Sequence, residues 1–144
     1  MDNLYRDFIL EHYRNPHNKG YLDPHDLQFA DSNPTCGDEL SMTIRLDDAH
    51  DRIADVAFDG RGCAISQASA SILTDELRGM SVGEARDYDP KELLENLGVP
   101  IGPARLKCAL LSYKVLQGAF IGGEARWPEE ADLALTAGEG GTAP

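Results

Sequence analysis

Leu40-Ser41-Met42-Thr43-Ile44-Arg45-Leu46 alternates apolar and polar residues, the period of two that a strand with one buried face requires. A polar turn, Asp47 to Asp51, leads to Ile53–Phe58, which is apolar enough for a second strand. Upstream, Leu27-Gln28-Phe29-Ala30 alternates briefly before Pro34. Three short strands with tight connections favour an antiparallel meander. Downstream, the period changes at Gly60-Arg61-Gly62. Ile65, Ala68, Ile72 and Leu77, with Ala64 and Leu73 nearby, then line one face of a helix that Gly79 ends. A sheet followed by helices makes the fold class α+β.

The flanks agree with that division. Residues 2–14 read as a helix, with Leu4, Phe8 and Tyr5, Ile9, His12 at helical spacing and Asp2 or Asn3 as cap. Asn15-Pro16-His17-Asn18-Lys19-Gly20 stops it, and a loop runs through Pro24. Ser81–Arg86 and Lys91–Leu97 read as short helices, the first begun by a capping box of Ser81 with Glu84. A long C-terminal helix runs from about Pro103 to Phe120, with a core stripe of Leu106, Ala109, Leu110, Tyr113, Leu116 and Phe120. Residues 1–127 are expected to form a single domain, pinned at its end by Trp127. Residues 128–144 form an acidic, Gly- and Ala-rich stretch expected to be disordered.

A chain of 144 residues can bury one ordinary core. No apolar run reaches the roughly 20 residues of a membrane span, and no secretory signal opens the sequence, so a cytoplasmic protein is expected. A formal charge of −12 argues against nucleic-acid binding, which draws affinity from clustered Lys and Arg.

Three cysteines are an odd number in such a chain, so a disulfide framework is not expected. Cys36 sits in Asn33-Pro34-Thr35-Cys36-Gly37-Asp38, a turn between strands. Cys63 follows Gly60-Arg61-Gly62 and opens a helix, where the helix dipole favours a thiolate. Cys108 falls about 200° round the last helix from Leu106, on a face with Arg105 and Ser112 and outside the core stripe. A tetrahedral zinc or iron site needs about four ligands. Three thiols supply three, and Asp38, two residues after Cys36 on an extended segment, can supply a fourth. Arg105, Lys107 or Arg61 could offset the formal −2 of such a site. The spacings do not resemble paired C-x-x-C knuckles, so the residues by themselves leave two readings open: a metal site, or inert buried thiols.

Three segments in order, 33–38, Gly60-Arg61-Gly62-Cys63-Ala64-Ile65-Ser66-Gln67-Ala68-Ser69, and Arg105-Leu106-Lys107-Cys108-Ala109, resemble the U-type iron–sulfur cluster assembly proteins, IscU and SufU. Leu4-Tyr5-x-x-Phe8-Ile9-Leu10-x-His12-Tyr13-x-x-Pro16 resembles the family's opening helix, and the likeness covers residues 3–120. It implies a SufE/NifU-like α+β fold with a three-stranded antiparallel sheet, the cysteine segments meeting at one exposed edge. It implies that Cys36, Asp38, Cys63 and Cys108 bind Zn2+, or alternatively iron or a [2Fe–2S] cluster. It also implies a SufS-like cysteine desulfurase as sulfur donor, and downstream assembly or recipient proteins; the charge and hydropathy above, not the resemblance, argue against nucleic acid and membrane as partners.

Lys107 before Cys108 is similar to the SufU type, as is the absence of a Leu-Pro-Pro-Val-Lys segment in residues 98–103; the SufU insertion between the second and third cysteines is lacking. The SufU-like reading makes the chain a zinc-dependent sulfur acceptor, with Cys36 or Cys108 collecting sulfur and Arg105 as docking or thiolate-stabilising cation beside Lys107. The IscU-like reading makes it a scaffold. Outside this class stand a structural zinc module and a hydrolase or transferase using Cys63. The latter lacks an evident base, since His12, His17, His25 and His50 adjoin no cysteine.

Overall fold

The alternating segment at 40–46 is the centre of a three-stranded antiparallel sheet, ordered β1 (Leu27–Asn33), β2 (Asp38–Leu46), β3 (Ile53–Arg61). The computed structural model describes residues 2–34, 37–123 and 125–128, with side chains from Arg6 onward. Met42 lies between Phe29 and Phe58, and Ile44 between Leu27 and Val56. Alternation therefore places these six side chains on one face. Met42, Ile44, Val56 and Phe58 are at most 1% exposed, each contributing about 1.5–3 kcal/mol by leaving water.

β1 and β3 run further than their hydropathy predicts, to Asn33 and Arg61. The added residues are mostly polar, and main-chain pairing carries them: Asn33 opposite Asp38, Arg61 opposite Glu39. The connection after the first helix also joins the sheet. Lys19 bridges to Phe58 in parallel, with Gly20 N–H donating to the Phe58 carbonyl at 2.7 Å. Leu22 N–H donates to Thr43 Oγ1 at 3.0 Å, covering a hydroxyl on the sheet's other face.

The helices are α1 (Asp2–Arg14), α2 (Ala64–Leu77), α3 (Val82–Arg86), α4 (Pro90–Leu97) and α5 (Pro103–Ile121). α2 and α5 lie against the sheet and each other, α1 lies on α2, and α4 lies against α2 and α5. The capping box of Ser81 and Glu84 opens α3, and Asp89 caps α4 through Lys91 N–H. On α1, Ile9 and His12 are buried while Phe8 and Tyr13 are exposed. His12 Nδ1 meets Ser71 Oγ of α2 at 2.7 Å, and His17 meets Asp75 at 2.5 Å.

α5 departs from its expected stripe. Ala109, Leu110 and Leu116 are buried, but Leu106, Tyr113 and Phe120 are only half-buried, and Cys108, Leu111, Ser112, Lys114 and Val115 are buried as well. A helix enclosed by a sheet on one side and another helix on the next has no solvent face along its middle. Gly118 permits the closest approach, since a Cβ there would meet the Phe29 ring at 2.4 Å. Lys114, buried in this enclosure, is held by an ion pair with Asp31 of β1. Trp127 packs against the core and closes this end. The reading of residues 129–144 as disordered lies outside the described residues. Among the described residues no helix is long and apolar enough to cross a membrane.

Candidate metal centre

The inward row of β2 reads Ile44, Met42, Leu40, Asp38: apolar until its last member. Asp38 is 1% exposed, and a buried carboxylate must be hydrogen-bonded or paired. One partner comes from the start of α2, the element that follows β3. Cys63 is the N-cap of α2, with extended backbone (φ −70°, ψ 166°) and no capping bond from its own side chain. Its N–H donates instead to Asp38 Oδ1 at 2.9 Å. A strand end and a helix start thus satisfy each other, and the helix N-terminus is the end that favours an anion.

Gly62 makes this possible. A Cβ at residue 62 would stand 2.2 Å from Asp38 Oδ1 and 2.8 Å from Ser66 Oγ, so only glycine leaves room for the carboxylate. With it seated, the Cys63 thiol donates to Asp38 Oδ2 at 3.8 Å. Cys108 arrives from α5, 5% exposed, its helix tied to α2 one residue further on by Ser69 Oγ donating to the Ala109 carbonyl at 2.6 Å. Neither Cys63 nor Cys108 is in a disulfide.

The outcome is a cluster in which the ligand atoms of Asp38, Cys63 and Cys108 all lie within 4.8 Å of one another. Two thiolates bound tetrahedrally at the usual zinc–sulfur length sit about 3.8 Å apart, so side-chain adjustments would bring this set onto one ion. Soft sulfur donors with one carboxylate suit zinc or iron. Cys36, the remaining expected ligand, lies outside the described residues. Gly37 N–H donates to the Asn33 carbonyl at 2.8 Å, so the two ends of that turn are held together.

Sequence reasoning put Cys108 on a face outside the core; the structure buries it. Leu106, from which Cys108 stands about 200° round the helix, is itself only half-buried, and the enclosed sector of α5 is wider than the apolar stripe. Arg105 is exposed and, with Arg6, flanks a groove of about 460 Å3 lined by Ile9, Leu10, Ile65, Val99 and Ile101. No local signal in the sequence brings Arg6 there. Lys107 is also exposed, and its ammonium lies 5.3 Å from the centroid of the Trp127 ring. His12, His17 and His25 are engaged by Ser71, Asp75 and the Leu22 carbonyl. Burial, then the neighbouring His17, lowers the pKa of His12.

Residues 4–126 match the family described as NifU-like N terminal domain. The chain is 40% identical over 135 residues to the zinc-dependent sulfurtransferase SufU of Bacillus subtilis (strain 168), covering 81% of this chain and 89% of that protein. It is 35% identical to the iron–sulfur cluster assembly scaffold protein IscU of Streptococcus pyogenes serotype M1, covering 83% of this chain and 84% of that one. Among solved structures, a putative iron–sulfur cluster assembly scaffold protein for the SUF system from Fervidobacterium islandicum AW-1 superposes with a TM-score of 0.69 at 27% identity, over 78% of this chain and 93% of that chain.

Proposed function

The chain belongs to the NifU-like N-terminal domain family, and from that premise we propose that it serves iron–sulfur cluster assembly as a zinc-dependent acceptor of sulfur from a cysteine desulfurase. The observation that carries the reading is the convergence of Asp38, Cys63 and Cys108 from three separate elements. Together with Cys36, which stands two residues before Asp38, they would hold the metal, which when bound would keep the thiols ionised and lower the cost of clustering them. Residues 1–127 are the functional unit.

Cys36 or Cys108 is the acceptor. A thiolate attacks the terminal sulfur of the donor's persulfide; a new S–S bond forms, the donor's S–S bond breaks, and the donor cysteine leaves as thiolate. The protein's task is to present that thiolate unhindered. Asp38, the hardest donor of the set, would be the least tightly held of the ligands, and the Cys63 N–H is placed to satisfy its Oδ1 at 2.9 Å. Arg105, exposed at the groove that begins beside Cys63, is the docking cation.

A second reading follows from the likeness to the Streptococcus pyogenes scaffold: the same residues hold a [2Fe–2S] cluster, as cargo, for delivery. Measuring bound metal per chain and desulfurase turnover, for the natural protein and Asp38→Ala, separates the two. Tightly held zinc with strong stimulation of the desulfurase supports the acceptor. Little zinc, no stimulation, and a cluster kept longer by Asp38→Ala supports the scaffold. Neither metal nor cluster under any condition defeats both.

A further inference from the structure

Ser66, the third residue of α2, is fully buried, and its hydroxyl faces two acceptors. Its Oγ donates to the Cys63 carbonyl at 3.1 Å. That carbonyl does not depend on it, since the Gln67 N–H also donates there, at 3.2 Å. Gln67 Nε2 in turn donates to Ser66 Oγ at 3.3 Å, so the oxygen's accepting side is engaged and its single proton is what it has to offer. The second acceptor is Asp38. A Cβ at residue 62 would stand 2.2 Å from Asp38 Oδ1 and 2.8 Å from Ser66 Oγ. The two oxygens are therefore no further apart than those lengths laid end to end, across a glycine that puts no side chain between them. The carboxylate presents its two oxygens differently: Oδ1 takes the Cys63 N–H at 2.9 Å, while Oδ2 meets the Cys63 thiol at 3.8 Å. Oδ1 is thus on the side of Ser66, and Oδ2 on the side of the sulfur ligands.

We propose that Ser66 is a positioning residue for the metal centre, acting through Asp38: with metal bound, its hydroxyl turns from the Cys63 carbonyl to Asp38 Oδ1, leaving Oδ2 as the ligand oxygen. The turn is a rotation about one bond between staggered positions, and the Cys63 carbonyl keeps the Gln67 N–H throughout. The hydroxyl exchanges a neutral acceptor for a charged one, which makes the stronger hydrogen bond. Oδ1, held by the Cys63 N–H and by Ser66, is kept off the metal, so Asp38 binds through one oxygen in a fixed orientation. Outer partners of this kind orient a ligating carboxylate. The inference rests on the metal reading above for its consequence; the placement of Ser66 between the Cys63 carbonyl and Asp38 does not.

Three measurements on the full chain test it. Zinc affinity is read by chelator competition for the natural protein, Ser66→Ala, Asp38→Ala and the double variant. Ser66→Ala is expected to bind zinc about tenfold more weakly, as loss of an outer partner does. In the Asp38→Ala background the same change shifts affinity by less than about twofold, because the group it acts through is gone. Cobalt(II) is the second probe. The natural protein gives the intense visible bands of four-coordinate cobalt, and Ser66→Ala weakens them as Oδ1 joins Oδ2 on the ion and the coordination number rises. Third, urea unfolding of the metal-free proteins shows Ser66→Ala at the natural midpoint, while added zinc raises the midpoint of the variant less. An equal loss of affinity in both backgrounds, no loss at all, or unchanged cobalt bands overturns the proposal, with zinc binding by the natural protein leaving the metal reading intact. A midpoint lowered as far without zinc as with it overturns the proposal too, since the hydroxyl would then serve the helix alone. A natural chain that takes up neither zinc nor cobalt defeats the metal reading, and this inference with it.

Discussion

Gly62→Ala is the smallest change that should dismantle the centre. The added methyl carbon would lie 2.2 Å from Asp38 Oδ1, 2.8 Å from Asp38 Cγ and 2.8 Å from Ser66 Oγ. Residue 62 is fixed by the strand before it and the helix after it, so the carboxylate is the group that must move. Moving it breaks the 2.9 Å bond from Cys63 N–H, a hydrogen bond to a charged acceptor worth about 1.5–3 kcal/mol. Placing alanine at φ +158°, at the margin of a region that favours glycine, adds about 1 kcal/mol. The expected loss is therefore about 2.5–4 kcal/mol, against a typical domain stability of about 5–15 kcal/mol. Urea unfolding of the metal-free protein measures it, and chelator competition should show zinc held about tenfold or more weakly, as expected when a ligand is displaced. Gly83→Ala is the control: nothing lies within 4 Å of its Cβ, it sits in α3, and alanine there should stabilise by about 0.5–1 kcal/mol. If Gly62→Ala unfolds within about 0.5 kcal/mol of the natural protein and binds zinc as tightly, the coupling of strand end, glycine and helix start is wrong.

Two further outcomes are expected. Gly118→Ala drives a methyl against Phe29 at 2.4 Å; overpacking of about 1–3 kcal/mol less a helix gain of about 0.5–1 kcal/mol leaves a net loss, read as a lower urea midpoint that Phe29→Leu relieves. The pH dependence has two opposed parts. Glu92 is pushed up to about 7 from 4.5 by its hydrogen bond with Glu76, then by burial and by the charges of Glu76 and Asp89. The folded state therefore holds that proton more tightly, and the stability it contributes is present below pH 4.5 and lost as pH rises through 7. His12 is shifted below 6.5 by burial, so its contribution is present above pH 6.5 and lost as pH falls below it. Unfolding midpoints across pH for Glu92→Gln should lose the first slope and keep the second.

Much of this was legible in the chain itself. The alternation at 40–46 and the change of period after Gly62 identified the sheet and its junction with α2, because burial on one face imposes those periods locally. The residues that extend β1 to Asn33 and β3 to Arg61 were not legible, since backbone pairing rather than hydropathy holds them. Asp38 was reached through its spacing from Cys36, while its actual support, the N–H of Cys63, is 25 residues away and left no local mark.

By itself, then, the sequence determined the order of elements, the glycines at the turn into α2 and the identity of the candidate ligands, all properties carried by neighbouring residues and the order of motifs. Tertiary structure alone decided that Cys108 is enclosed rather than on an open face, that Arg6 stands with Arg105 at one groove, and that Trp127 lies over Lys107. Those outcomes depend on which elements are packed against α5 and from how many sides. A helix's own periodicity specifies one apolar face, and it carries no record of how many neighbours will cover the others.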